Sequence, residues 1–564
     1  MENRNVIIAV ILSTAILIGW SMYFENPNEA QKKKLEIQGK TETQTNIQKP
    51  ETPQTTKANP TKAISRGDAL KEGDRVLIEN SNLSGSISLR GALIDDIILK
   101  NYREALDKNS KAIVLLSPKK SDEGYFIESG WATAKSDVKV PDNNSIWQIR
   151  DGKKLTPSSP VTLEWNNREG VVFSKKIEVD DKYLFKVTET IRNEKNKTIE
   201  LFHYSQITKS TKPNTENFYI LHEGLIGVVD KNLKEETYSA IEKEKKTYAG
   251  KSGWFGITDK YWMSAIIPEN GKSFKGEYSF ANSYKANFII SEPTIANPQK
   301  SASNTLKIFI GAKEVYPIDN YTEKEKIDRF DLSIDWGWFY FITKPLFFVI
   351  DYIFKIVGNF GVAIIILTII VRIIFFPLAN YSFKSMAKMK VLQPEMLRIK
   401  ELYKDDVKRT QQEMMALYKR EKVNPLSGCL PILIQIPIFF AVYKMLFVTL
   451  EMRHAPFFGW IKDLSAADPT TLFNLFGLIP WNPPSFLMIG VWPILMGVTM
   501  YFQQKLNPTP PDPIQAKIFA FFPLIMTVML ATFPSGLVVY WTVSNVLTMA
   551  QQYYIMKKTT VKTV

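Results

Sequence analysis

Residues 361–378 read GVAIIILTIIVRIIFFPL. The run is nearly pure hydrocarbon and long enough to cross a bilayer as a helix. It carries one charge, Arg372, six residues before Leu378. A guanidinium at membrane depth costs at least about 2.5–3.5 kcal/mol, so it faces water, protein or a ligand. The surrounding sequence decides whether this arginine works or merely reaches the nearest interface.

The chain has 564 residues, room for several domains. Its residues are 45% hydrophobic, yet the mean hydropathy is only −0.12. Apolar segments must therefore alternate with a large polar region, as in a polytopic membrane protein with a soluble domain. The single cysteine, Cys429, excludes an intramolecular disulfide and a cysteine-ligated zinc site. The only histidines, His203, His222 and His454, are widely spaced, which argues against a histidine metal site or triad. No cofactor is implied. The net charge of +14 points to nucleic acid or anionic lipid only if it is clustered.

Residues 6–24 form an uncharged apolar run after Arg4, without a small-residue cleavage site. Residues 1–24 read as an uncleaved signal anchor. The stretch 25–71, rich in Gln, Lys, Thr, Asn and Pro, reads as a flexible tether. From 72 to 330 alternation recurs at Ile87/Leu89, Val161/Leu163/Trp165, Ile177/Val179 and Tyr183/Phe185/Val187. Frequent Gly, Asn, Asp and Pro breaks predict an antiparallel β-sandwich. The first helical-looking pattern is at 258–266. Such a domain serves as a structural or docking module unless a site says otherwise.

Residues 336–356 are apolar and aromatic. Lys344, Asp351 and Lys355 share one helical face, and Trp336, Trp338 and Tyr340 stand at its start. That pattern, with Pro345, predicts an interfacial helix. Apolar runs at 361–378, 429–448, 485–504, 514–533 and 537–556 complete six spans with the first, separated by 379–428, a 449–484 loop and a 505–513 connection. Segment 379–428 holds 11 basic side chains against six acidic, and the 449–484 loop two against three. The positive-inside rule then puts 379–428 in the cytoplasm, with both termini and the basic tail 557–564, and the β-domain outside. Helical spacing of Met386, Met389, Met396, Leu397, Ile399 and Leu402, then of Val407, Met414, Leu417 and Tyr418 after Asp405-Asp406, predicts a helical hairpin.

Counted from the cytoplasmic ends, Arg372, Gln435, Thr499, Thr368, Ser544 and Asn545 fall in the inner half or near the centre of the bilayer. No Asp or Glu lies in the five C-terminal spans. The pattern suggests a hydrated, positively charged recess open to the cytoplasm. The competing account has Arg372 reaching the interface and the hydroxyls bonding to their own helices.

The motifs TIIVRIIFFPL (368–378), NPLSGCLPILIQIPIFFAVYKML (424–446), PILMGVTMYFQQK (493–505) and FPSGLVVYWTVSNVLTMAQQ (533–552) resemble those of the YidC-type membrane protein insertases of the Oxa family. The resemblance implies a periplasmic β-supersandwich, a mobile cytoplasmic hairpin and a five-helix insertase core in the bacterial inner membrane. It maps the family's groove arginine, threonine and glutamine on Arg372, Thr368 and Gln435, with Thr499, Ser544 and Asn545 beside them. Its substrate-contact aromatics fall on Tyr540 and Trp541, the latter replacing a common Tyr. The implied function is insertion, folding and assembly of integral membrane proteins, without covalent chemistry. Implied partners are nascent membrane proteins, the Sec translocon, the lipid bilayer, and the ribosome and signal-recognition-particle receptor at the hairpin and tail. Two other classes compete. A transporter or flippase should show internal repeats and broken helices, and no repeat is seen. A membrane enzyme needs a titratable pair that the spans lack.

Overall fold

A computed structural model describes residues 64–107, 109–134, 138–213, 221–424, 430–481, 483–484, 487–507 and 513–560. The expected signal anchor and most of the tether lie outside the described residues. The β-domain starts earlier than the composition suggests. Ile64 bridges to Ser121, and Arg66 in the short helix Arg66–Ala69 pairs with the buried Asp96.

The alternation at Ile177/Val179 and Phe185/Val187 belongs to adjacent strands of a nine-stranded sheet. Strand Leu184–Asn193 lies between Val171–Val179 and Ser301–Ala312, antiparallel to both. An eleven-stranded sheet packs against it, and Ile87, Val161, Leu163 and Phe185 are fully buried in the shared core. The expected β-sandwich is present. Residues 258–266, read as helical, instead close a hairpin between strands Gly253–Thr258 and Trp262–Ile267. Both strands are buried almost throughout, so they lack the one-sided alternation that marks a surface strand.

After strand Ser301–Ala312 a short helix, Val315–Glu323, hands the chain to the helical region. Its helices are α1 Tyr340–Val357, α2 Phe360–Ile374, α3 Phe376–Leu402, α4 Val407–Arg420, α5 Leu430–Val448, α6 Val491–Leu506, α7 Pro513–Leu530 and α8 Ser535–Thr560. Gly358 ends α1 in a left-handed cap at φ 70°, a conformation that costs glycine nothing. The charges of α1 are paired with protein. Lys344 meets Asp319 at 2.8 Å, while Asp351 pairs with Lys355 at 2.7 Å and accepts from Tyr316. Trp336, expected at an interface, is 2% exposed and packs on Phe347, whereas Trp338 is exposed.

The β-domain core continues without a break into Phe347 and Ile350 of α1, Ala363, Ile364 and Leu367 of α2, Val442 and Leu446 of α5, and Leu537 of α8. Polar ties flank it. Lys444 pairs with Asp335 at 2.7 Å, and Glu451 accepts the Val315 N–H at 3.0 Å. Arg453 donates to the Arg103 carbonyl at 2.7 Å.

The run 361–378 is not one straight helix. It bends by 67° at Phe375, between α2 and α3. Pro377 lacks the N–H that would bond the Ile373 carbonyl, so the ladder breaks at Phe375, whose φ of −90° and ψ of 6° lie outside the helix. Asp406 caps α4 by accepting the Arg409 N–H at 3.0 Å, as its position before the second periodic run predicts. Six spans were expected, but no single described helix is long and apolar enough to cross a membrane alone. The bent pair α2–α3 passes that test together, and 435–448 and 514–530 are shorter apolar helices.

Candidate functional site

The Asn359 side chain accepts the Val362 N–H at 3.1 Å and starts α2. Because α2 ends at Ile374, Arg372 occupies its last turn, where a cation meets the partial negative charge of the helix end. The arginine is half-buried, and its guanidinium donates to the Ser544 hydroxyl of α8. Among the described residues no carboxylate pairs with it. Gln435 of α5 donates to the Tyr540 hydroxyl at 2.6 Å, one turn from Ser544. Arg372 and Gln435 line one recess with Val371, Phe375, Leu378, Ala379 and Ile438. Its volume of about 30 Å3 is room for water beside the charge.

The other expected groups are placed differently. Thr499 accepts from the Asn545 amide at 3.3 Å, making a polar contact between α6 and α8. Thr368 does not line the recess. It is 1% exposed, and its hydroxyl donates to the Ile364 carbonyl of its own helix at 2.7 Å. Local back-bonding thus describes Thr368 but not Ser544. The two aromatics also part company. Tyr540 is buried and hydrogen-bonded, whereas the Trp541 ring stands edge-on to Phe439, centroids 4.7 Å apart, beside Met496, Met500 and Met526.

Sequence reasoning missed half of a ladder. Tyr540, Ser544, Thr548 and Gln552 recur every four residues on one stripe of α8, each at most 4% exposed. Gln552 donates to Asn507 at the end of α6 at 2.9 Å. The i, i+4 spacing was the available signal.

The family model described as "60Kd inner membrane protein" matches residues 352–562, and that of the "YidC periplasmic domain" matches 75–349. A protein of Pelagibacter ubique named membrane protein insertase YidC is 52% identical over 563 residues, covering all of both chains. The chain belongs to the YidC insertase family. A Rhizobium meliloti YidC is 47% identical over 574 residues, covering all of this chain and 96% of its own. A solved structure titled as an active YidC insertase covers 86% of this chain and 93% of its own, at 18% identity and a TM-score of 0.35. Family membership rests on the sequence relatives. The boundary between the two family models falls inside α1.

Proposed function

We propose that this chain inserts and helps fold integral membrane proteins through a groove formed by α2, α5 and α8. In this reading α5, α6, α7 and α8, with the α2 arm, span the inner membrane. The β-domain is periplasmic, and the α3–α4 hairpin is cytoplasmic. The observation that carries it is Arg372: a half-buried cation answered by a hydroxyl rather than a carboxylate, beside a recess shared with Gln435. Such a site lowers the cost of bringing a polar or acidic segment to membrane depth.

A substrate's hydrophilic tail would enter the recess from the cytoplasmic side. Its apolar segment would then leave along α5 and α7 into lipid, past Trp541 and Phe439. Burial of that segment in lipid drives the process, and the membrane potential adds about 2.3 kcal/mol per charge per 100 mV for negative tails. The groove supplies a path, not a reaction. The chain would act alone or beside the Sec translocon, with the basic hairpin and tail as the place where ribosome and signal-recognition-particle receptor meet it.

Photocrosslinkers at Arg372, Gln435 and Trp541, present while a short acidic-tailed membrane protein is synthesised, test the reading. Capture of the nascent chain at all three is expected. Failure at every position would sink it.

A further inference from the structure

At the base of the hairpin, α3, the end of α4 and the turn after it flank an open cavity of about 530 Å3 to which the insertase reading assigns no small ligand. Lys384 and Lys388 line it from α3, Lys419 and Lys422 from the end of α4, and Tyr381 and Tyr418 stand among them. No carboxylate lines it, and among the described residues none of the four lysines has an acidic partner. Elsewhere on the hairpin Arg398 and Arg420 do have such partners, in Glu395 and Glu421. Two contacts and a turn shape the walls. Ser385 donates to the Asn424 carbonyl, Val423 N–H bonds the Tyr418 carbonyl, and Lys422 turns the chain at φ 51°.

The base of α3 also meets the ends of two other helices. Ile555 near the end of α8 packs on Ala379, Phe383 and Met386 of α3. Gln552 is bonded to Asn507, just beyond α6. The ends of α6 and α8, which carry Lys505, Lys557 and Lys558, are therefore near the start of α3.

We propose that this cavity binds the phosphate headgroup of an anionic phospholipid of the inner leaflet. The proposal rests on the cytoplasmic placement of the hairpin given above. The volume lies within the range of about 300–1,000 Å3 typical of small-ligand pockets. Four unpaired ammonium groups answer the phosphate, and tyrosine hydroxyls suit a polyol headgroup. Met415, half-exposed at the rim, offers an apolar exit for acyl chains. Basic pockets at the cytoplasmic face next to spanning helices are suited to such headgroups. A nucleic-acid backbone asks instead for an extended basic track with open stacking platforms. A bound headgroup would bridge Lys384 and Lys388 to Lys419 and Lys422, and so pin α4 to the base of α3.

The full chain is purified, exchanged into an equal mixture of phosphatidylglycerol and phosphatidylcholine, and examined by native mass spectrometry. Retention of phosphatidylglycerol over phosphatidylcholine is expected, falling about tenfold in K384Q/K388Q/K419Q/K422Q. K390Q/R398Q/K404Q/K408Q, with the same loss of charge, should retain it. Equal retention by both quadruple variants, or no preference in the parent, overturns the proposal. Displacement of the lipid by millimolar inorganic phosphate would show a free-phosphate site and overturn it. So would loss of binding to purified ribosomal RNA with lipid retention unchanged. Labelling of Ser385→Cys by an impermeant maleimide from outside intact cells would remove the cytoplasmic placement and overturn it from that side. Lipid retention is read without any insertion assay, so its failure is distinct from failure of the groove at Arg372.

Discussion

The β-domain and the helical region each bury charge, and they answer it differently. In the sandwich, Glu189 is 1% exposed and has Lys175 at 3.1 Å, the His203 ring at 3.4 Å and the Ser129 hydroxyl as partners. Burial alone would raise its carboxyl, but Lys175, His203 and Ser129 together hold it at about 2. In the helical region, Arg372 has a serine hydroxyl and a small recess. The first arrangement is closed: the Glu189 carboxylate has its counter-charge, Lys175, inside the fold. The second leaves electrostatic demand for something that arrives. A finished core and an unfinished one can be built from the same kinds of group.

That contrast can be broken at either end. The largest effect is expected for Glu189→Ala, which leaves the buried Lys175 without its carboxylate. A loss of about 3–5 kcal/mol should appear in urea unfolding of the β-domain within the full chain. Because the folded carboxyl lies at about 2, below the ordinary 4.5, its contribution is complete above pH 4.5. It should disappear as pH falls from there to about 2. Glu189→Gln should therefore flatten acid unfolding across that window, and an unchanged acid profile would refute the closed-pair account. Arg372→Ala should change stability little but lower insertion of acidic-tailed substrates about tenfold, neutral-tailed ones less. Equal insertion of both classes would make the arginine a bystander. Tyr540→Phe removes the acceptor for Gln435 and should cost about 1 kcal/mol in thermal unfolding of the full chain. Smallest is Asn545→Ala, which loses the 3.3 Å contact to Thr499. A change of about 0.5 kcal/mol is expected by the same measurement.

What the sequence shows and hides follows from contrast along the chain. Ile177/Val179 and Phe185/Val187 are legible because each strand has one wet face. Residues 258–266 are not, because both faces of their hairpin are dry and the alternation vanishes. Arg372 and Gln435 stand out against hydrocarbon. Thr548 and Gln552 do not, since they lie toward a helix end where polar residues are ordinary. Asp319 as partner of Lys344 is invisible at a separation of 25 residues, so a face paired with protein reads as one meant for water. The bend at Phe375 was written in Pro377, but a hydropathy run averages it away. It places Arg372 at a helix terminus rather than partway along a span.

The ladder on α8 has a consequence for motion. Its rungs, Tyr540, Ser544, Thr548 and Gln552, are spaced by four residues, or about 6 Å of rise. Three rungs are taken by neighbouring elements: Tyr540 by Gln435 of α5, Ser544 by Arg372 of α2, and Gln552 by Asn507 just beyond α6. Sliding α8 by one rung would break all three together. The stripe therefore acts as a ratchet tooth that holds α8 in one register against its neighbours.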